Sequence, residues 1–155
     1  MWLTDNFSLE EFTHSQTATR LGIGNTAPAT VLPALTRTAE GLELVRTLLE
    51  DRPVLVSSGY RSPSLNAAIG SKPTSQHTTG QAVDFTCPTF GSPACIVRKL
   101  VASDIAFDQY ILEFGAWVHI SYNSISNRNE ILKAIFKKNK TTYRQLTKDQ
   151  ALALT

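Results

Sequence analysis

The run Phe107-Asp108-Gln109-Tyr110-Ile111-Leu112-Glu113-Phe114 is separated from Trp117-Val118-His119-Ile120-Ser121-Tyr122 by only Gly115-Ala116. Two apolar, aromatic-rich runs with so short a link read as neighbouring antiparallel strands, about 107–114 and 117–122. In the second, Val118 and Ile120 share the core face while Trp117, His119 and Ser121 share the other. Upstream, Gln81-Ala82-Val83-Asp84-Phe85 alternates in the same way, with Val83 and Phe85 inward and Ala82 and Asp84 outward. Val54-Leu55-Val56, just after Pro53, reads as a further, buried strand.

The rest of the first two thirds is helical. Ser8 ahead of Leu9-Glu10-Glu11-Phe12 is an N-cap signature. Leu21 to Pro28 is turn chemistry. Leu32, Leu35, Ala39, Leu42, Val45 and Leu49 recur at steps of three and four, which predicts a long core helix over roughly 29–50. Ser62-Pro63 opens a short helix through Ile69, and Ser92-Pro93 opens another through Val101. Helices come early and strands late, so the expected fold is α+β, a small antiparallel sheet with flanking helices. The tail, Ile131–Phe136 then Asn139–Tyr143, fits either a hairpin or a helix.

In 155 residues, 42% apolar, there is enough for one core and too little for two. The expectation is therefore a single domain, 1–155, with its core about 29–122. Residues 1–127 hold 8 Lys/Arg against 11 Asp/Glu, a net of −3, and 128–155 hold 7 against 2, a net of +5. The basic segment 128–155 suits an anionic surface or is simply a solvated face. The acidic body, and a tail without regularly interleaved aromatics, argue against a nucleic-acid partner. No run approaches 18 apolar residues, so no membrane span is expected. No basic-then-apolar leader opens the chain, so a cytoplasmic protein without signal peptide is expected, acting as a monomer. Cys87 and Cys95 could bridge in an oxidising setting or stay reduced.

Two of the three histidines stand in polar company beside strands. His77 lies in Ser75-Gln76-His77-Thr78-Thr79-Gly80, and His119 faces away from the core, as does Asp84. Two imidazoles and a carboxylate on one sheet face can form a three-ligand zinc set that leaves a fourth position for water. They can equally be hydrogen-bonded histidines, since no close ligand pair such as His-x-x-x-His is present.

Ser58-Gly59-Tyr60-Arg61-Ser62, then Ser75-Gln76-His77 with Gly80-Gln81-Ala82-Val83-Asp84, then Trp117-Val118-His119 resemble one family's signature. It is that of the zinc D-Ala-D-Ala carboxypeptidases and L-alanyl-D-glutamate endopeptidases, the LAS metallopeptidases, which include bacteriophage endolysins. Phe7-Ser8-Leu9-Glu10-Glu11-Phe12 resembles the opening of phage-type members. The resemblance implies a hedgehog/DD-peptidase-like fold, a Zn2+ cofactor held by His77, Asp84 and His119, and peptidoglycan stem peptides as substrate. It also implies that Arg61 and Ser75 contact substrate, and that the protein reaches the wall after release, as a phage lysis or virion protein would. A guanidinium can hold a carboxylate or an oxyanion bidentately, although Arg61 alone would also suit a structural salt bridge. Ser75 could instead only cap its turn, and Tyr60 and Asn66 read as scaffold.

The family's glutamate three residues before the last histidine is Ala116 here. Glu113, six residues before His119, is the first choice of general base, reached through a small register change at Phe114–Ala116. Asp108 is the second, and either could be an ordinary strand carboxylate. The alternative to an enzyme is a catalytically weak, zinc-containing cell-wall-binding or virion structural module.

Overall fold

The computed structural model describes all residues, 1–155. Local chemistry starts most of the helices. Ser8 accepts from the Glu11 amide while the Glu11 carboxylate accepts from the Ser8 amide, so α1 (Leu9–Thr13) begins with a capping box. Ser15 caps α2 (Gln16–Leu21), a helix absent from the sequence reading, which ends at Gly22 in the left-handed region (φ 64°). The long helix α3 (Leu32–Leu48) is shorter at both ends than the expected 29–50. Pro33 sits in its first turn, and Glu50 and Asp51, both at positive φ, follow its end. Its stripe Leu35, Ala39, Leu42 and Val45 is fully buried. Ser62 and Ser92 cap α4 (Pro63–Ala68) and α5 (Pro93–Val101), with proline in each first turn.

Strands β1 (Leu55–Ser58), β2 (Ala82–Thr86), β3 (Gln109–Glu113), β4 (Trp117–Ser121), β5 (Glu130–Lys137) and β6 (Lys140–Gln145) form one six-stranded sheet in the order β1-β2-β4-β3-β5-β6. The fold is α+β, as expected, with flanking helices. The sheet is larger than expected and not purely antiparallel, because β3 and β5 run parallel. The undecided tail is the β5–β6 hairpin, followed by α6 (Lys148–Leu152). β1 is an edge strand with Leu55 half exposed, not the buried strand that its apolar run suggested. Cys87 and Cys95 are both free thiols, and no helix is long and apolar enough to cross a membrane.

Alternation divides the sheet. Val83, Phe85, Tyr110, Leu112, Val118 and Ile120 point into a core shared with α3 and α5. Residues paired directly across an antiparallel ladder share a face. Ser58↔Asp84, Asp84↔His119 and His119↔Ile111 therefore form one row across four strands of the other face. That row carries the candidate site.

Candidate metal centre

Three segments bring side chains to this row. His77 is on a 3₁₀ turn, Gln76–Thr79, capped by Ser75 and closed by Gly80 at φ 72°. A Cβ on Gly80 would come within 2.6 Å of the Val31 side chain, and its carbonyl accepts from the buried Thr38 hydroxyl at 2.8 Å. Glycine at 80 thus lets α3 lie directly under the turn. Gly59 works similarly: a Cβ there would stand 2.5 Å from the Phe12 carbonyl oxygen. The close approach leaves the Gly59 carbonyl facing His77 Nδ1 at 2.7 Å.

A carbonyl only accepts, so Nδ1 carries a proton and Nε2 is the ring atom left to the cluster. Nε2 holds a proton toward Asp84 when no metal is bound and gives its lone pair to a metal when one is. His77 Nε2 lies 3.3 Å from His119 Nδ1 and 3.3 Å from Asp84 Oδ1, and His119 Nδ1 lies 2.8 Å from Asp84 Oδ1. Two nitrogens held at about 2.0–2.1 Å by one tetrahedral zinc would stand roughly 3.3 Å apart. The donor types and the His77–His119 spacing fit such an ion, while His119 and Asp84 stand closer, in a direct hydrogen bond. His77 has the backbone partner that metal-binding histidines usually have. His77, Asp84 and His119 are all buried, exposing 3%, 4% and 6% of their surface. A carboxylate buried this deeply must be paired with donors or a cation. Burial alone would raise the Asp84 pKa; the His77 charge and the hydrogen bonds from His119 and His77 outweigh it and hold the carboxyl well below its usual range.

Arg61 joins the cluster from outside. Its Nε donates to Ser58 Oγ at 2.9 Å and one terminal nitrogen donates to Asp84 Oδ2 at 2.8 Å. Arg61 thus makes the structural salt bridge, to Asp84, and also lines the cleft. Ser75 likewise caps its turn, with its hydroxyl accepting from the His77 amide at 3.4 Å, and lines the same cleft.

Glu113 needs no register change. It pairs regularly with Trp117, on the face that carries His119, and its Oε1 lies 4.0 Å from His119 Nδ1. Only 15% of its side chain is exposed. Burial first, then the negative charge of Asp84, push its pKa up to about 7, against the pull of His119 and Arg61. The turn that follows has Phe114 and Gly115 both at positive φ. Ala116, at the position of the family's glutamate, lies in that turn, outside the strands.

Asp108 is placed differently. It is wholly buried; its two oxygens accept from the Arg128 guanidinium and backbone amide, and one also accepts from Gln76 Nε2 at 2.9 Å. Arg128 also donates to the Gln76 side-chain oxygen Oε1 at 3.1 Å. Asp108, Arg128 and Gln76 thus form a clasp that ties the His77 turn to the start of β5, and the carboxylate is saturated by those partners. Sequence reading missed Gln76 and Arg128. The available signal was a lone aspartate opening an apolar strand, which demands a buried partner.

The cleft over the cluster has a volume of about 750 Å³ and is lined by Arg61, Lys72, Ser75, His77, Glu113, His119 and Tyr143 among others. No curated protein matches the chain. The family model for peptidase M15, however, matches residues 5–121, the span that holds every member of the His–Asp–His cluster together with Arg61 and Glu113. A metal-binding set on that stretch is what a metallopeptidase requires, and the chain belongs to the peptidase M15 family.

Proposed function

We propose that this protein hydrolyses peptide bonds in the stem peptides of bacterial peptidoglycan, with zinc held by His77, Asp84 and His119. The observation that carries the reading is the buried His–Asp–His cluster with a mostly buried carboxyl group, Glu113, 4.0 Å from His119 Nδ1. Bound there, zinc would supply Lewis acidity toward a peptide carbonyl and acidify a water molecule. The protein's own groups then divide the work. Glu113 takes the proton from the attacking water and returns it to the leaving amine, a task for which a pKa near the working pH is best. Arg61, tethered by Ser58 and Asp84, turns the rest of its fork to the oxygen that gains charge. Ser75 offers its hydroxyl to the same substrate from the edge of the His77 turn.

Stem peptides carry free carboxylates and D-residues, and the cleft that would take them is lined by Arg61, Lys72 and Arg128. Both candidate bonds, D-Ala-D-Ala and L-Ala-D-Glu, lie next to such carboxylates. The protein would meet its substrate after release from the cell that makes it, as a lysis or virion protein does. Mass spectrometry of purified peptidoglycan fragments, incubated with zinc-loaded wild type or His119→Ala protein, tests activity and bond choice together. Loss of one D-alanine identifies a carboxypeptidase, and separation of the stem after L-alanine an endopeptidase. Tight zinc with intact fragments would sink the enzymatic reading in favour of a wall-binding or virion module.

A further inference from the structure

We propose that the β5–β6 hairpin is the substrate-recognition wall of this cleft, where Tyr143 donates a hydrogen bond to a carbonyl or carboxylate oxygen of the bound wall peptide. The proposal rests on the peptidase reading and deepens it. The hairpin, Glu130–Gln145, lies wholly outside the residues matched by the family model, which end at 121. Nothing in the family match therefore assigns it a role. Yet Leu132, Thr141 and Tyr143 line the same cleft as His77, His119 and Glu113.

Sheet register puts them there. Glu113 pairs with Ala134 across the parallel β3–β5 ladder, and Ala134 pairs with Tyr143 across β5–β6. Tyr143 thus stands two strands from Glu113 in one row of side chains, about 9–10 Å away at the backbone. The residue between them is a fully buried alanine, whereas Glu113 and Tyr143 both line the cleft. A substrate strand in the cleft would pass both side chains. Tyr143 remains half exposed, and its phenol has no hydrogen-bond partner within the chain. Partial burial, then the charges of Glu113 and Asp84, raise its pKa, so the phenol keeps its proton and acts as a donor. Across the cleft Lys72 is an exposed cation, whereas Arg61 and Arg128 are paired with Asp84 and Asp108. A donor on one wall and a free cation on the other suit an oxygen-rich, anionic peptide.

Tyr143→Phe removes only the hydroxyl, and Tyr143→Ala removes the ring as well. Thr142→Ala, on the opposite face of the same strand, controls for damage to the hairpin. Two assays apply: kcat/KM on a soluble stem peptide with zinc-loaded protein, and calorimetric binding of that peptide to the same variants in a Glu113→Gln background. The expected result for Tyr143→Phe is a roughly 3- to 10-fold fall in kcat/KM, the value of one net hydrogen bond, appearing mainly in KM. Affinity should fall in parallel, with zinc content and Tm unchanged and Thr142→Ala silent. Equal kcat/KM and equal affinity in wild type, Tyr143→Phe and Tyr143→Ala would overturn the proposal. An inert wild type would sink the peptidase reading, and the binding arm would still decide Tyr143. Absence of any peptide binding would sink both.

Discussion

Glu113→Gln should damage catalysis and stabilise the metal-free protein, and the second effect can be sized from the structure. Burial and the Asp84 charge raise the Glu113 carboxyl from an ordinary 4.5 to about 7. That gap, at 1.36 kcal/mol per pH unit, makes ionised Glu113 a burden of about 3 kcal/mol on the folded state. The sign follows from the raised value. Glu113 favours the fold fully below pH 4.5, and that contribution is lost as pH rises toward and through 7. Glutamine keeps the size and has no charge to desolvate. Without metal, the variant should match wild type near pH 4 and exceed it at pH 8 by up to about 3 kcal/mol. For a chain of this length that is roughly 6–12 °C in Tm. Thermal unfolding of chelator-treated protein at both pH values reads the difference directly. With zinc restored, wild-type kcat/KM on a stem peptide should fall toward acid pH as Glu113 becomes protonated, with a midpoint below the metal-free value because the cation offsets the Asp84 charge. Glu113→Gln should lose that limb and fall about 10²- to 10⁴-fold with zinc retained. A Tm difference that is the same at pH 4 and pH 8 would refute the electrostatic account of Glu113. Near-normal turnover in the variant would remove it from the chemistry.

His77→Ala or His119→Ala should abolish most zinc binding, measured by metal analysis after gel filtration, and should remove the Tm rise that zinc gives wild type. Arg61→Lys keeps the charge but cannot bridge Ser58 and Asp84 with a planar fork, so kcat/KM should drop roughly tenfold or more with zinc content kept. Asp108→Asn should chiefly lower stability, by about 2–3 kcal/mol in denaturant unfolding, because it breaks the buried clasp on Arg128 and Gln76. If it instead left stability intact and abolished turnover, the role of base would pass to Asp108.

Asp84 and His119 could be picked out from the sequence because each interrupts an apolar run at an alternate position. A strand turns such a residue away from the core whatever its partners are. The capped helix starts at Ser8, Ser62 and Ser92 were legible for the same reason, since a cap is satisfied within a few residues of itself. Other features depended on pairing between segments far apart in the chain. That Asp84 stands directly opposite His119 is a property of the β2–β4 register. That Glu113 reaches the cluster without a bulge comes from the β3–β4 register, and that Tyr143 faces it comes from two further ladders. The tail reads equally well as hairpin or helix until β3 offers it a parallel edge. Asp108 resembled a catalytic carboxylate until Arg128, 20 residues later, folded onto it. Side-chain direction is set locally by a two-residue period and so is written in the sequence. Register and ion pairing are chosen by burial over the whole sheet, and only the folded chain decides them.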